Sequence, residues 1–369
     1  MRPYIVVTGA LAVAIVAIHP ASSSAQRLEP KRSDHLSVSA PKAGRARPLL
    51  VVVAENLGAE TTDFAIPYGV LKDAGVADVR SLSTGPGPVQ LRRSLKVMAD
   101  QTLSQFDALE PAGADIVIVP AQVAPKDPVL TAWVRAQAAK GATIVSVCEG
   151  SRVLANAGLL KEKRAATHWS SIKDLTKAYP ETTWVRDQRY VQDGKIISTT
   201  GVTASIPMSL ALVEAIGGKP VAQATATRFG VTGWGSAHRT ADFKLETRDI
   251  ATALGNMAAV WTHETLEVPV RDGVDEVALA LRMDAWGRSY RTKVVTTGAG
   301  LAPVRSRHGL TILPDAEGRK GGRLMPGRPL AAGPQLDAVL ADMGRRYGSG
   351  AVRLAKIGLE YDPPAQRQN

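Results

Sequence analysis

Three uninterrupted apolar runs constrain this chain more than anything else in it: Pro48-Leu-Leu-Val-Val-Val-Ala54, Asp115-Ile-Val-Ile-Val-Pro120 and Thr143-Ile-Val-Ser-Val-Cys148. A strand with one wet face alternates apolar and polar residues, so runs without alternation predict strands covered on both faces. Helical stretches over Thr61–Ala74 and 128–140 separate the runs, with short extended candidates at 79–82 and 97–99. Strands alternating with helices predict right-handed crossover units. The expected class is α/β, a doubly wound, mostly parallel sheet with helices on both faces. Its 369 residues, 45% hydrophobic and 21% charged, suffice for two such domains.

The N-terminus reads differently. Arg2 precedes an apolar run over 4–18, followed by Pro20 and Ala21-Ser-Ser-Ser-Ala25, the order of a secretory signal with cleavage after Ala25. Residues 1–25 are therefore expected to be the signal peptide of a periplasmic or secreted protein, with no stable membrane association once it is cut. A buried helix and an uncleaved anchor are the alternatives, although ~15 apolar residues fall short of the ~20 that span a bilayer. Residues 26–47 are polar and aperiodic and are read as a disordered tether. The net charge of +11 divides into +5 over 1–50, +4 over 260–369 and +2 between, which implies no nucleic-acid partner. The single cysteine, Cys148, excludes an internal disulfide. No pair among the six histidines has metal-ligand spacing, so no metal is expected. Trp234, Trp261 and Trp286 are assigned to packing.

The chain also matches itself. Residues 88–100 align with 303–315 at five identities in thirteen, 58–71 parallels 273–286, and 210–217 resembles 336–343. This predicts a first domain over 48–228, a connecting segment over 229–262, and over 263–365 a degenerate partial repeat shortened through its middle.

Chemistry concentrates at Ile144-Val-Ser-Val-Cys148-Glu149-Gly150-Ser151-Arg152, where an apolar strand runs into a thiol, a glutamate and a glycine before a helix starts at once. A side chain on such a turn projects at the carboxyl edge of the sheet, where α/β folds bind ligands. The positive end of the helix favours thiolate over thiol. Cys148 is the candidate nucleophile.

This elbow, with Gly58-Ala-Glu-Thr-Thr-Asp-Phe-Ala-Ile-Pro67, Thr167-His-Trp169 and the 190–204 segment through Gly201, resembles the ThiJ/PfpI family of the class I glutamine amidotransferase-like superfamily. Within it the chain is most similar to the sensor domains of AraC-type regulators. The resemblance covers 48–228 and implies a flavodoxin-like fold. It implies that Asp63 is the acid facing the nucleophile, with Glu60 beside it, and that His168 and Ser151 are accessory groups. The backbone N–H groups of Glu149 and Ala121 would face an oxyanion, and Gly150 and Gly201 would line the pocket. A carboxyl held beside a thiolate has a raised proton affinity and can shuttle a proton. Two positions depart from the family pattern: Glu149 follows the cysteine where catalytic members carry His or Ala, and Pro120-Ala121-Gln122 stands where glycines are usual.

What the resemblance implies for function is a cofactor-independent hydrolase, hydratase or amidase-like activity on a small molecule. The alternatives are a non-catalytic small-molecule sensor or scaffold, or a transcriptional-regulator-like protein lacking its DNA reader. Residues after 228 offer no pair of helix-turn-helix units to read DNA. In the second copy the counterpart of Asp63 is Ala278 and there is no cysteine, so that copy is expected to be silent. The family often dimerises, which implies a homodimer or a repeat that replaces the second subunit.

Overall fold

The structure is a computed structural model that describes residues 34–92, 95–318 and 321–361; the expected signal peptide and the start of the expected tether lie outside these residues. The first module runs β1 (Leu49–Ala54), α1 (Thr61–Ala74), β2 (Asp78–Ser83), β3 (Val89–Leu91), β4 (Leu95–Met98), β5 (Gln101–Thr102), α2 (Leu103–Leu109), β6 (Ile116–Val119) and α3 (Pro128–Ala139). It continues with β7 (Thr143–Ser146), α4 (Gly150–Asn156), β8 (Arg164–Ala165), α5 (Ile172–Ala178), β9 (Thr183–Trp184), β10 (Tyr190–Asp193), β11 (Ile196–Thr199), α6 (Ser205–Gly217) and α7 (Lys219–Arg228). Seven strands form one sheet in the order β10-β11-β7-β6-β1-β2-β5, and every pairing in it is parallel except β10 with β11.

Burial explains why the apolar runs do not alternate. Along β1, Leu49, Val51 and Val53 join one hydrophobic cluster while Leu50, Val52 and Ala54 join the cluster on the opposite face. All three apolar runs became neighbouring strands, β1, β6 and β7, at the centre of the sheet, where both faces are covered.

The second module begins after α8 (Thr247–Ala258) and contains β12 (Glu264–Pro269), α9 (Glu276–Gly287), β13 (Thr292–Gly298), β14 (Val304–Arg305), β15 (Thr311–Ile312), β16 (Ala316–Glu317) and α10 (Ala332–Leu359). β12, β13 and β16 form a parallel sheet, and β14 and β15 continue the β3–β4 hairpin into a four-stranded sheet shared by both modules. Residues 215 apart in the chain play matching parts. Asp100 Oδ2 accepts from the Ser81 N–H at 2.8 Å and its hydroxyl at 2.9 Å, and Asp315 Oδ2 accepts from the Thr296 N–H and hydroxyl, both at 2.9 Å. Where β4 pairs antiparallel with β15, Val97 lies opposite Ile312.

The fold alters three readings. The match of 210–217 to 336–343 falls about one helical turn short. Gly218, at φ 84° and ψ 164° between α6 and α7, has its conformational counterpart in Gly348, at φ 79° and ψ 177°, which kinks α10. Only glycine takes such a conformation readily, so it fixes the alignment better than apolar spacing does. Residues 34–47, expected as tether, are instead tied down. Arg45 pairs with Asp115 and Glu110, both at 2.8 Å, Tyr190 donates to the Asp34 carbonyl at 2.7 Å, and Leu36 is buried. Of the three tryptophans, Trp286 is fully buried and Trp261 is 82% exposed, so Trp261 packs nothing.

Replacing Asp100 or Asp315 by Ala removes an acceptor that serves two donors. Each substitution should cost about 1–3 kcal/mol, read as a lower urea midpoint at unchanged slope. An unchanged midpoint for either would show that clamp to be idle.

Candidate active site at the carboxyl edge of the sheet

The elbow follows from close packing. β7 ends at Ser146, the Val147 N–H donates to the Val119 carbonyl at 3.0 Å, and Cys148 turns the chain at φ 55° before α4 starts at Gly150. Positive φ is rare for a residue with a side chain and marks a strained, over-determined turn. Gly150 is obligatory here, because a Cβ on it would lie 2.0 Å from the Val119 carbonyl oxygen. The Cys148 N–H donates to the Thr199 hydroxyl at 3.2 Å, which ties the turn to the end of β11.

Asp63, in the first turn of α1, is fully buried. Its Oδ2 accepts from the Ala121 N–H at 3.2 Å, and its Oδ1 takes no hydrogen bond among the described residues. Asp63 and Cys148 are close enough that Asp63 is the leading charge acting on the thiol. Burial and then Glu60 raise the Asp63 carboxyl well above its ordinary value. Burial, then Asp63, Glu149, Glu360 and Glu60 raise the Cys148 thiol likewise. The thiolate preference expected from the helix N-terminus is therefore overturned: a two-turn helix offers about half a unit charge, while a buried sulfur faces several carboxyls. The thiol therefore holds its proton near neutrality.

The remaining candidates are placed as follows. Glu149 accepts from the Ser171 hydroxyl and pairs with Arg152 at 3.1 Å; although burial opposes it, these partners hold its carboxyl below the ordinary value. Ser151 donates to Thr167 Oγ1 at 2.7 Å and is also bonded to the Cys148 carbonyl, so it braces the turn. His168 Nδ1 meets the Ser170 hydroxyl at 2.7 Å, and burial lowers its proton affinity. The Ala121 N–H, expected to face an oxyanion, is taken up by Asp63. Glu60 pairs with Arg288 at 3.3 Å. The Gly201 N–H donates to Glu360.

Two of the groups that complete the site come from the second module and were not read from the sequence. Arg288, at the end of α9, meets Asp284 at 3.0 Å and Glu60, and donates to the Gly358 carbonyl. Glu360, just past α10, sits among the elbow loops. Their only sequence signal was the self-match that set α9 beside α1. Cys148 is 5% exposed, and the cavities of 330–730 Å³ formed by described residues are lined by others. Among the described residues no cluster of His, Cys, Asp or Glu could hold a metal.

Because thiolate is the reacting form, alkylation of Cys148 by iodoacetamide should be slow at pH 7 and still climbing through pH 9. Mass spectrometry of the Cys148 peptide across that range measures this, and a plateau at or below pH 8 would contradict the assigned environment.

A sequence profile of the DJ-1/PfpI family matches residues 48–215. Isonitrile hydratase of Pseudomonas putida is 34% identical over 167 residues, 44% of this chain and 69% of that protein. The HTH-type transcriptional regulator CdhR of Pseudomonas aeruginosa is 34% identical over 152 residues, 40% of this chain but only 43% of the regulator. Among solved structures, a DJ-1 superfamily protein from Salmonella typhimurium aligns at 25% identity and TM-score 0.45, covering 50% of this chain and 99% of that one.

Proposed function

The chain belongs to the DJ-1/PfpI family, and from that premise we propose that its elbow adds water to an electrophilic carbon of a small molecule, as a cofactor-independent hydratase or hydrolase. The observation that carries this reading is the buried Asp63, with an oxygen left open, beside a thiol on a strained turn. In the proposed cycle the Cys148 Sγ–C bond forms from the sulfur's electron pair. The thiol proton passes through the Asp63 carboxyl to the substrate atom that gains electron density. Water then displaces the sulfur: its oxygen bonds the carbon, the S–C bond breaks, and one of the water's protons restores the Cys148 thiol. One water is consumed and no oxidant or reductant enters. An uncharged carbon electrophile such as a carbonyl or an isonitrile suits a site already rich in carboxyls.

One observation favours a second reading. A thiol held protonated, with the Ala121 and Gly201 amides already engaged, also suits a sensor that binds without turnover. Cys148→Ser separates the two. Turnover of a carbonyl or isonitrile panel by the wild type and its loss, by roughly 10³-fold or more, in the variant supports the hydratase reading. A wild type that turns over none of the panel, yet is stabilised by one of its members, favours the sensor.

We further propose that the chain is exported, on the strength of the charged, apolar and small-residue order over 1–25, and that the second module is a degenerate copy of the first, on the strength of the matching positions 215 apart. Mass spectrometry of the protein from an exporting host should find its N-terminus near Gln26; an intact Met1 in the cytoplasm would refute export.

A further inference from the structure

Glu360 is an acid that the second module inserts among the loops of the first. It follows α10 at φ 50°, which swings its side chain off the helix axis, and the residue is 2% exposed. Its carboxylate is held as a fork: Oε1 accepts from the Trp169 N–H and Oε2 from the Gly201 N–H, both at 2.5 Å. His238 Nε2 lies 3.6 Å from Oε2. The two amides come from separate loops, after β8 and after β11, and converge on a single carboxylate. Gly201 has no side chain for a spatial reason, because a Cβ there would lie 2.8 Å from the His168 ring and 2.9 Å from the Glu360 carboxyl carbon.

Around this carboxylate the chain over 357–361 forms a strap. Trp169 Nε1 donates to the Ile357 carbonyl at 3.0 Å, Arg288 to the Gly358 carbonyl, and the Thr203 hydroxyl to the Glu360 carbonyl at 2.6 Å. The Cys148 N–H donates at 3.2 Å to the hydroxyl of Thr199, two residues before Gly201, which places the seat near the thiol.

The donor set selects among anions. Two backbone N–H groups match the two oxygens of one carboxylate. The nearby guanidinium of Arg288 is committed to Asp284 and Glu60, which leaves the seat short of the positive charge a phosphate dianion calls for.

We propose that the Trp169 and Gly201 amides are a carboxylate subsite of the elbow pocket, filled in the resting chain by Glu360, and that a small organic acid takes this seat when the 357–361 strap lifts. This rests on the reading of the elbow as a ligand pocket but not on turnover, and its test needs none. The measurement is the rate at which iodoacetamide, an uncharged reagent, alkylates Cys148 in the full chain at pH 8. Glu360→Ala removes the occupant and its charge. The rate should rise by roughly tenfold, the change that one pKa unit of thiol acidity gives. Millimolar propionate should then slow the variant again, while propionamide of the same shape should not. Glu360→Gln keeps the volume but sets an amide N–H₂ against one of the two donors, and should give an intermediate rate. If Glu360→Ala fails to fold, as circular dichroism would reveal, Glu360→Gln carries the test, with alkylation faster than the wild type expected. An unchanged rate in the folded variants would overturn the proposal, as would equal effects of propionate and propionamide. Failure of the hydratase reading would appear separately, as absent turnover with this protection pattern intact.

Discussion

One mostly buried guanidinium, that of Arg288, ties the second module to the acids of the first. Glu60, Asp63, Asp284 and Glu360 are all at most 3% exposed, and isolated carboxylates at that depth are strongly unfavourable. Arg288 pairs with two of them and donates to the strap that carries a third, and Asp284 and Glu60 keep it charged although burial opposes this. Such an arrangement adds little net stability over an apolar contact, but loss of one partner leaves uncompensated charge behind. It therefore fixes where α9 can sit against α1 more than how tightly. The first module alone would keep only the longer Arg92 contact to Glu60, at 3.8 Å.

The same concentration of acid sets the chemistry. A helix N-terminus acting alone favours thiolate; here burial and the surrounding carboxyls raise the proton affinity of the sulfur and of Asp63 alike. A pair that shares protons rather than charge is suited to moving a proton between substrate atoms.

Much of this was legible because it is local. The apolar runs gave β1, β6 and β7, since burial on both faces writes itself into consecutive residues, and α1 ran over the expected Thr61–Ala74. The elbow was legible because thiol, glutamate and glycine are adjacent. The thiol's acidity was not, because it depends on Glu60, Asp63 and Glu360, which come from distant parts of the chain. Glu360 itself lies 212 positions beyond Cys148, at the end of an ordinary amphipathic helix, with nothing around it to announce a role. Residues 34–47 look like linker by composition, yet Arg45 and Asp34 find partners that only the folded surface supplies.

The pairing of Val97 with Ile312 is what a local twofold axis produces, yet it lies within one polypeptide. Two separate chains joined along these strands would part on dilution; here the covalent link keeps the local concentration of the edges high at any protein level. A symmetric pair must also keep two identical cavities. A tethered one is released from that obligation: here the sulfur lies in the first module, and the second supplies the arginine and the acid near it.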